Sequence, residues 1–423
     1  MTEYQSNWAG NIAYGAAELY RPQTVEQVQE LVARHNKVKA LGSRHSFSNI
    51  ADSSEALISL EHFNQVVGVD HQRRRVIAGA GIRYGQLCEQ LHREGYALHN
   101  MASLPHISVA GACATATHGS GDRNGNLATA VAALEIVAGD GQVVMLSREQ
   151  HGEQFQGAVV GLGGLGIVTK VTLDVVPAFD MRQIVYENLP LAQLEEHFEA
   201  IVSSAYSVSL FTDWHGARIN QVWLKRRVSD EAAMELEPTF FEATLAAGHL
   251  HPIAELSAEP CTEQMGALGP WHERLPHFRM DFLPSSGSEL QSEYFVPREY
   301  ALAAIRAIDR LREHVAPLLR ISEVRTIAAD TLWMSPCYQQ ACVALHFTWK
   351  KDWPAVSKLL PLIEEQLAPF DARPHWGKLF TMPPARLQSL YAKLPEFRQL
   401  LRSYDPQGKF RNAFLDTYIY GEN

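Results

Sequence analysis

The sequence has no apolar run long enough to cross a bilayer. Its longest weakly polar run, GAVVGLGGLGIV, is short and rich in glycine, whereas a membrane-spanning helix needs about 20 consecutive apolar residues. The opening stretch MTEYQSNWAG has neither the basic start nor the apolar segment of a secretory signal. We therefore expect a protein that does not have a membrane as partner.

Cysteine is also scarce, and the pattern of metal ligands is sparse. The five cysteines form no CxxC pair and no disulfide framework, which predicts reduced thiols and a cytoplasmic location. The 18 histidines include no HExxH motif and no closely spaced His/Asp ligand set. We expect no metal site, and a metal-dependent hydrolase remains only an alternative.

Positive charge is not in excess. The formal net charge of −10 argues against nucleic acid as the main partner. Hydrophobic residues make up 46% and charged residues 20% of the chain, as in a globular protein with a sizeable core. With 423 residues, the chain has room for two domains or for one large domain with an insertion.

Helices and strands alternate in the first part of the chain. Residues 21–41 have a helical apolar stripe followed by the strand-like KVKAL, and RRRVIAGAG is followed by a helix that Gly95 ends. Segments 131–138 and 167–176 are typical of further strands. This pattern indicates an α+β or α/β domain. The turn-rich stretch YDPQGKFRNAF near the end carries two phenylalanines, which predicts that it packs against the rest of the protein.

Small residues dominate positions 100–125, NMASLPHISVAGACATATHGSGDRNG. Such side chains let the backbone come close to a ligand and turn several N–H groups toward an anion. A pyrophosphate-containing cofactor is one explanation, and a tight structural loop is the other. GLGGLG, residues 161–166, matches the GxGxxG dinucleotide fingerprint, but a helical pattern precedes it and a strand pattern follows it. The motif requires the opposite order, so close packing explains these glycines better.

His45 lies in LGSRHSFSNI, a flexible loop after a predicted strand. A catalytic base, a metal ligand, a cofactor attachment point and an ordinary surface histidine are all compatible with that loop.

Two later strands carry polar residues on one face. In ACVALHFTW, His346 and Thr348 share a face, and in SEVRT so do Glu323 and Arg325. Together with Lys378 of HWGK, these side chains would form a pocket for a polyhydroxylated ligand. The alternative is a solvated sheet face with a structural ion pair.

Several motifs together resemble a known family. GSRHSF, ASLPHISVAGACATATHGSG and GLGGLGIVTKVTL resemble the FAD-binding domain of the vanillyl-alcohol-oxidase-type flavoproteins. SLFTDW, WLKRR, GPWHERLPHF, SEVRT, HFT and RPHWGK are similar to the alditol (xylitol/sorbitol) oxidases in particular. The resemblance runs from NWAGN to GKFRNAF.

The resemblance implies an α+β fold, with a two-subdomain FAD-binding domain and a substrate-binding cap domain built from an antiparallel sheet and helices. The expected division is 1–177 for FAD binding, 178–374 for the cap, and 375–423 for a segment returning to the interface between them.

The resemblance also assigns the cofactor contacts. His45 would bond covalently to the 8α-methyl group of FAD. Arg44 stands where close relatives would have glycine, and it would either pair with the pyrophosphate or face solvent. The implied cofactor-binding residues are Ala40, Leu41, Gly42, Ser43, Arg44, His45, Ser46, Ser103, Ser108, Gly111, Thr115, Ala116, Thr117, His118, Gly166 and Ile167.

The implied reaction is oxidation of the terminal C1 hydroxyl of an alditol, such as xylitol or sorbitol, with O2 reduced to H2O2. Glu323, Arg325, Ser103 and Thr348 would bind hydroxyls, and His346 and Lys378 would bind the C1 hydroxyl, either of them acting as base. His375 would be a partner of the site or a packing residue, and the small Ala102 favours access of oxygen to the ring.

Other functions remain open at this point. Sugar-lactone oxidases and dehydrogenases share much of the loop sequence, and a non-catalytic carbohydrate-binding protein would have the same polar face. We expect a monomer whose partners are a small polyol and O2.

Overall fold

A computed structural model describes residues 6–228, 236–282 and 287–422. The strands are β1 (Glu18–Tyr20), β2 (Val38–Leu41), β3 (Ala56–Ser59), β4 (Val66–Asp70), β5 (Arg75–Gly79), β6 (Tyr96–Ala97), β7 (Val131–Val137), β8 (Val143–Ser147), β9 (Ile167–Asp174), β10 (Val176–Pro177), β11 (Asp180–Pro190), β12 (Ser207–Thr212), β13 (Arg218–Arg227), β14 (Thr239–Phe240), β15 (Ala243–Leu245), β16 (Leu268–Pro270), β17 (Glu289–Pro297), β18 (Leu319–Ile327), β19 (Cys342–Lys350) and β20 (Arg373–Pro374). The helices are α1 (Val25–Arg34), α2 (Tyr84–Arg93), α3 (Val109–Ala114), α4 (Arg148–Val159), α5 (Leu191–Val202), α6 (Ala301–Asp309), α7 (Arg312–Val315), α8 (Trp353–Leu367), α9 (Pro384–Ser389), α10 (Leu394–Tyr404) and α11 (Ala413–Leu415).

The first helix forms where the apolar stripe predicts it. Thr24 accepts a hydrogen bond from the backbone N–H of Gln27, which satisfies one free donor of the first turn of α1. Val28 and Val32 on its apolar face are buried. The second predicted helix is α2, and Gly95 follows its end with φ of +80°. These sequence predictions are confirmed.

Two larger sheets and the two-stranded pair β10-β6 form the first part of the fold. A parallel sheet has the order β1-β3-β2, and an antiparallel sheet has the order β4-β5-β9-β7-β8. Both contribute to one hydrophobic core, which also contains the buried Phe397, Phe410 and Phe414 near the end of the chain. The prediction that the last stretch packs against the protein is therefore confirmed.

The second part of the fold is a ten-stranded antiparallel sheet. Its strands follow the order β14-β15-β11-β13-β12-β18-β19-β17-β20, and β16 pairs with β11 beside that path. Side chains from α5, α6 and α8 form a second core with one face of the sheet, including Phe198, Ile305 and Leu360 with Leu345 and Phe347 of β19. The opposite face carries polar side chains of the same strands together with two smaller apolar clusters.

The predicted α+β architecture is confirmed, with one local difference. The small-residue run at 100–125 contains a short helix, α3, because Val109, Ala112 and Cys113 are buried in the first core. Alanine and cysteine made the run resemble an irregular loop, yet they are small enough for a helix to pack closely there. Within the described ranges, none of the helices is both long and apolar enough to span a bilayer.

Gly81 makes the tightest glycine contact in the first core and allows a direct test of the packing. A Cβ built there would lie 1.8 Å from the carbonyl oxygen of Leu60, a backbone atom that cannot rotate away. We expect Gly81→Ala to lower the free energy of unfolding by about 2 kcal/mol or more, as measured by urea-induced unfolding. The control is Gly68→Ala, whose Cβ would have no neighbour within 4 Å. Equal stability of the two variants would contradict the close approach.

Candidate active site

One cavity of about 480 Å³ lies between the loops of the first part of the fold and the polar face of the large sheet. Most of the site residues predicted from sequence line it. These are Ala40, Leu41, Gly42, Ser43, Arg44, His45, Ser46, Ser103, Ser108, Gly111, Thr115, Thr117, His118, Gly166, Glu323, Arg325, His346, Thr348 and Lys378. Ala116 and Ile167 lie next to lining residues but are themselves buried in the first core, away from the cavity wall.

The His45 loop follows β2 and is joined to the small-residue run. A Cβ on Gly42 would lie 2.4 Å from Oγ of Ser108, so glycine is needed for this approach. The backbone N–H of Ser108 donates to Oγ of Ser43 at 3.0 Å. At the other end of the loop, the N–H of Phe47 donates to the carbonyl of Gly377 at 2.7 Å. The loop is thus tied both to the small-residue run and to the Lys378 segment.

His45 is held by stacking. Its ring lies 5.4 Å from that of Trp8 with an interplanar angle of 24°. Nδ1 is buried and has no hydrogen-bond partner in the described residues. Burial lowers the pKa of His45 to about 3, so the imidazole is neutral at neutral pH. A neutral ring with a buried nitrogen that has no hydrogen-bond partner can interact with a ligand in the cavity.

Arg44 adopts a left-handed backbone conformation, with φ of +63°. Its Nη1 donates to the carbonyl of Ser6 at 3.3 Å, and its own carbonyl accepts from the N–H of Trp8 at 2.9 Å. The arginine therefore ties the N-terminal segment, including the stacking Trp8, to the His45 loop. Arg44 also lines the cavity, and its pairing with a pyrophosphate stays a prediction.

The glycine segment 161–166 has the reversed order that the sequence predicts, since α4 precedes it and β9 follows it. A Cβ on Gly166 would lie 2.4 Å from the carbonyl oxygen of Val137, so this glycine packs against β7. The buried Lys39 donates to the carbonyls of Leu162 and Gly163. Gly163 and Gly166 line the cavity, and the segment forms a wall of backbone.

These features fit FAD. Three segments with little side-chain bulk bring backbone to one side of the cavity, as an elongated ligand with a pyrophosphate requires. At the end of this wall, the unpaired Nδ1 of His45 is present. The other side of the cavity is the polar face of the sheet, where a second small molecule can meet the cofactor.

Arg325 connects the charged groups of the polar face. Its Nη1 donates to Oγ of Ser103 at 3.3 Å, its Nη2 to Oε1 of Glu293 at 3.0 Å, and its Nε lies 3.5 Å from Oε1 of Glu323. Nε2 of His277 lies 2.8 Å from the same oxygen of Glu323. Burial raises the pKa of Glu323, but Arg325 and His277 outweigh burial and hold that pKa well below its ordinary range.

His346 and Lys378 lie beside this network. Nε2 of His346 is 3.1 Å from Oγ1 of Thr348, and Nζ of Lys378 donates to Oε1 of Gln291. Burial lowers the pKa of both His346 and Lys378, as a base working near neutral pH requires. His375 also lines the cavity, and its Nδ1 accepts from the N–H of Gly377 at 3.0 Å.

Sequence analysis missed four residues of this network: Gln291, Glu293, His277 and Lys225. The first two had a signal, because Glu289, Gln291 and Glu293 alternate along ELQSEYFV in the same way as the polar residues of the two strands that were recognised. His277 and Lys225 belong to no polar alternation, and only the family resemblance of GPWHERLPHF and WLKRR pointed to their segments.

Lys225 holds the loop that carries His277. Its Nζ donates to the carbonyls of Arg274, Leu275 and Pro276 at 2.7–2.8 Å. Burial lowers the pKa of Lys225, but three carbonyl acceptors use all three protons of an ammonium group. The lysine therefore fixes this loop and, through it, the contact of His277 with Glu323.

Comparisons with known proteins agree with this geometry. The family described as FAD binding domain matches residues 16–147, and the family described as D-arabinono-1,4-lactone oxidase matches residues 277–418. The alditol oxidase of Streptomyces sp. (strain IKD472 / FERM P-14339) is 48% identical over 424 residues, which cover 100% of both chains. The chain belongs to the alditol oxidase family. It is an FAD-binding oxidoreductase that acts on CH–OH groups with oxygen as acceptor, which confirms the resemblance seen in the sequence.

Two more distant proteins extend the comparison. The L-gulonolactone oxidase of Mus musculus is 26% identical over 439 residues, covering 98% of each chain. The crystal structure of cholesterol oxidase from B. sterolicum has a TM-score of 0.78 at 14% identity and covers 98% of this chain and 96% of its own. The second likeness shows the fold alone. Across the described ranges, no group of three or more His, Cys, Asp or Glu residues is arranged to hold a metal ion.

The lysine clamp of this enzyme predicts a large stability effect. Lys225→Met leaves the carbonyls of Arg274 and Leu275 without this donor, while the carbonyl of Pro276 keeps Oγ1 of Thr262, so we expect the free energy of unfolding to fall by about 3 kcal/mol. The control is Lys350→Met, whose Nζ donates to the single carbonyl of Pro317 at the surface; there we expect a change of less than about 0.5 kcal/mol. Urea-induced unfolding measures both, and a stable Lys225→Met variant would show that the clamp does not hold the loop.

Proposed function

We propose that this enzyme oxidises the terminal C1 hydroxyl of alditols such as xylitol or sorbitol to the aldose, with O2 reduced to H2O2. The observation that carries the proposal is the lining of one cavity by His45 and the backbone wall on one side and by Glu323, Arg325, His346, Thr348 and Lys378 on the other. A polyol needs several hydrogen-bond partners at once, and this face provides donors and acceptors in one row.

FAD supplies the redox chemistry when bound, by accepting the hydride of the carbinol carbon and passing its electrons to oxygen. We propose that His45 holds FAD covalently. Its neutral imidazole, its unpaired buried Nδ1 and its stacking on Trp8 support this role. The backbone wall of residues 162–168, together with Ser108, Gly111, Thr115 and His118, would hold the rest of the cofactor.

Two groups of side chains on the polar face would bind different hydroxyls of the substrate. Glu323 would accept from a substrate hydroxyl, while Arg325, Ser103 and Thr348 would bind others. Arg325 is already fixed by three hydrogen-bonding or ionic contacts, so little side-chain freedom is lost when a hydroxyl binds.

His346 and Lys378 would bind the C1 hydroxyl and remove its proton. Both side chains line the cavity, and both have a pKa lowered by burial. Ala102 lines the same cavity next to Ser103, and its small side chain supports access of oxygen. We also propose the division into residues 1–177, 178–374 and 375–423, and a monomer located in the cytoplasm.

A second candidate is the oxidation of a sugar lactone. The match of residues 277–418 to the D-arabinono-1,4-lactone oxidase family favours it, and those residues include most of the polar face. Turnover with alditols and with sugar lactones, each measured with and without oxygen, separates the two proposals.

The covalent bond is tested by following the flavin. The wild-type protein, denatured with acid and centrifuged, is expected to keep its yellow colour in the pellet, whereas His45→Ala is expected to release FAD into the supernatant. The control is His71→Ala, which replaces an exposed histidine and should keep the colour in the pellet. Flavin fluorescence of His45→Ala on a denaturing gel would exclude His45 as the attachment site.

The substrate site is tested with Lys378→Met. We expect turnover on xylitol or sorbitol to fall by orders of magnitude, on the order of 10²-fold or more, because the change removes hydroxyl binding and a candidate base. The control is Lys358→Met, at an exposed position of α8. Turnover of Lys378→Met close to that of the control would remove Lys378 from the site.

A further inference from the structure

Glu293 is a buried carboxylate to which the roles above assign no function. It lies near the centre of β17 and is 1% exposed. The strand register places it directly opposite His346 of β19, which in turn lies opposite Glu323 of β18. Directly opposite residues in an antiparallel pair have neighbouring side chains on the same face. His346 therefore stands between two carboxylates in one cross-strand row.

The two oxygens of Glu293 have different partners. Oε1 accepts from Nη2 of Arg325 at 3.0 Å and lies 3.2 Å from Nε2 of His118. Oε2 faces Nδ1 of His346 at 3.6 Å. Hydrogen bonds of catalytic groups are often long without substrate and shorten when it binds. Because Arg325 holds Oε1, the remaining oxygen of the carboxylate is directed at His346.

The charge of Glu293 determines which nitrogen of His346 carries the proton. Burial raises the pKa of Glu293, but His118 and His346 outweigh burial and hold that pKa well below its ordinary range. An ionised carboxylate only accepts hydrogen bonds. If Nδ1 of His346 were unprotonated, two lone pairs would face each other in a buried site. The proton therefore belongs on Nδ1, and the lone pair is on Nε2, on the side of Thr348.

We propose that Glu293 is a positioning residue that fixes His346 with its proton on Nδ1 and thereby makes Nε2 the base for the C1 hydroxyl. The proposal rests on the proposed function. In this step the O–H bond breaks and its proton binds Nε2. The electron pair of that bond would form the carbonyl as the carbon gives up its hydride, which FAD would accept when bound. The resulting imidazolium is paired with Glu293, and Lys378 remains a hydrogen-bond donor to the substrate oxygen.

The step requires a neutral His346, so its rate falls as the pH is lowered through the pKa of that residue. Burial and Lys378 lower this pKa from the ordinary value of 6.5, while Glu293 raises it again. The acidic limb of kcat/KM is therefore expected below pH 6.5. The other charged or titratable groups around the pair are His118, Glu323, Arg325, His277, His375 and Lys378.

The experiment compares Glu293→Gln with Glu293→Asp in the flavin-loaded enzyme. In Glu293→Gln, the amide oxygen stays with Arg325, which only donates, so the amide NH2 faces Nδ1 and forces the proton to Nε2. We expect kcat on xylitol to fall on the order of 10²- to 10⁴-fold and the acidic limb to disappear. Glu293→Asp keeps a carboxylate. We expect its kcat to be at least tenfold higher than that of Glu293→Gln, and its kcat/KM to show the acidic limb again.

A packing role predicts the opposite order. Glu293→Gln conserves shape and volume, whereas Glu293→Asp removes a buried methylene, so higher activity of Glu293→Gln would overturn the proposal. The control is Glu364→Gln. Glu364 is another buried carboxylate, which accepts from Tyr294 on the opposite face of β17. We expect it to keep the wild-type kcat and pH profile.

A second measurement does not depend on turnover. Nitrogen-15 NMR of histidine-labelled enzyme, with the signals of His346 assigned by their loss in His346→Gln, reports which ring nitrogen is protonated. We expect a proton on Nδ1 in the wild type and on Nε2 in Glu293→Gln, and a wild-type proton on Nε2 would overturn the proposal. If the wild type oxidises no polyol, the proposed function fails, while this measurement still decides the role of Glu293.

Discussion

The antiparallel register of β17, β19 and β18 is the constraint on which the active site depends. Side chains alternate between the two faces of these strands, so that Gln291, Glu293, His346 and Thr348 face the cavity while Leu345 and Phe347 enter the second core. A slip of one residue would exchange the two sets and place charges in that core. The burial of Leu345, Phe347 and their neighbours against α6 and α8 therefore fixes the positions of the polar side chains on the other face.

That arrangement buries several charged groups, and they persist because each has a partner. Two carboxylates, Glu293 and Glu323, share Arg325, and each also contacts a histidine. An unpaired buried charge would cost several kcal/mol, and removing one member leaves the others uncompensated. The network is thus rigid, because a side chain that moved would leave its partners without hydrogen bonds. Rigidity of this kind favours a site in which donors and acceptors stay in place before the substrate arrives.

The periodicity of the sequence predicted the site residues that can be recognised within a single strand. It missed the residues whose role depends on the pairing of neighbouring strands. Glu323 with Arg325, and His346 with Thr348, were found because alternation within a strand requires no knowledge of its neighbours. Glu293 has the same alternation, but its importance follows from its position opposite His346, which only the register shows. Lys225 acts through three carbonyls about 50 residues away in sequence, and a backbone carbonyl has no sequence signal. Likewise, α3 was missed because small residues hide the apolar periodicity of a packed helix.

The two walls of the cavity are built on different physical principles. Under the proposed function, this difference separates binding of the cofactor from choice of the substrate. The wall next to His45 consists largely of backbone, which glycine and other small residues bring close, so a substitution there changes the shape of the cavity. The opposite wall consists of side chains on a rigid sheet, and replacing one of them changes hydrogen bonding without moving a strand. Under the proposed function, the choice of substrate would therefore depend on a few cavity-facing positions of β17, β18 and β19. The position of His346 between two carboxylates then restricts such changes to residues that do not disturb its proton.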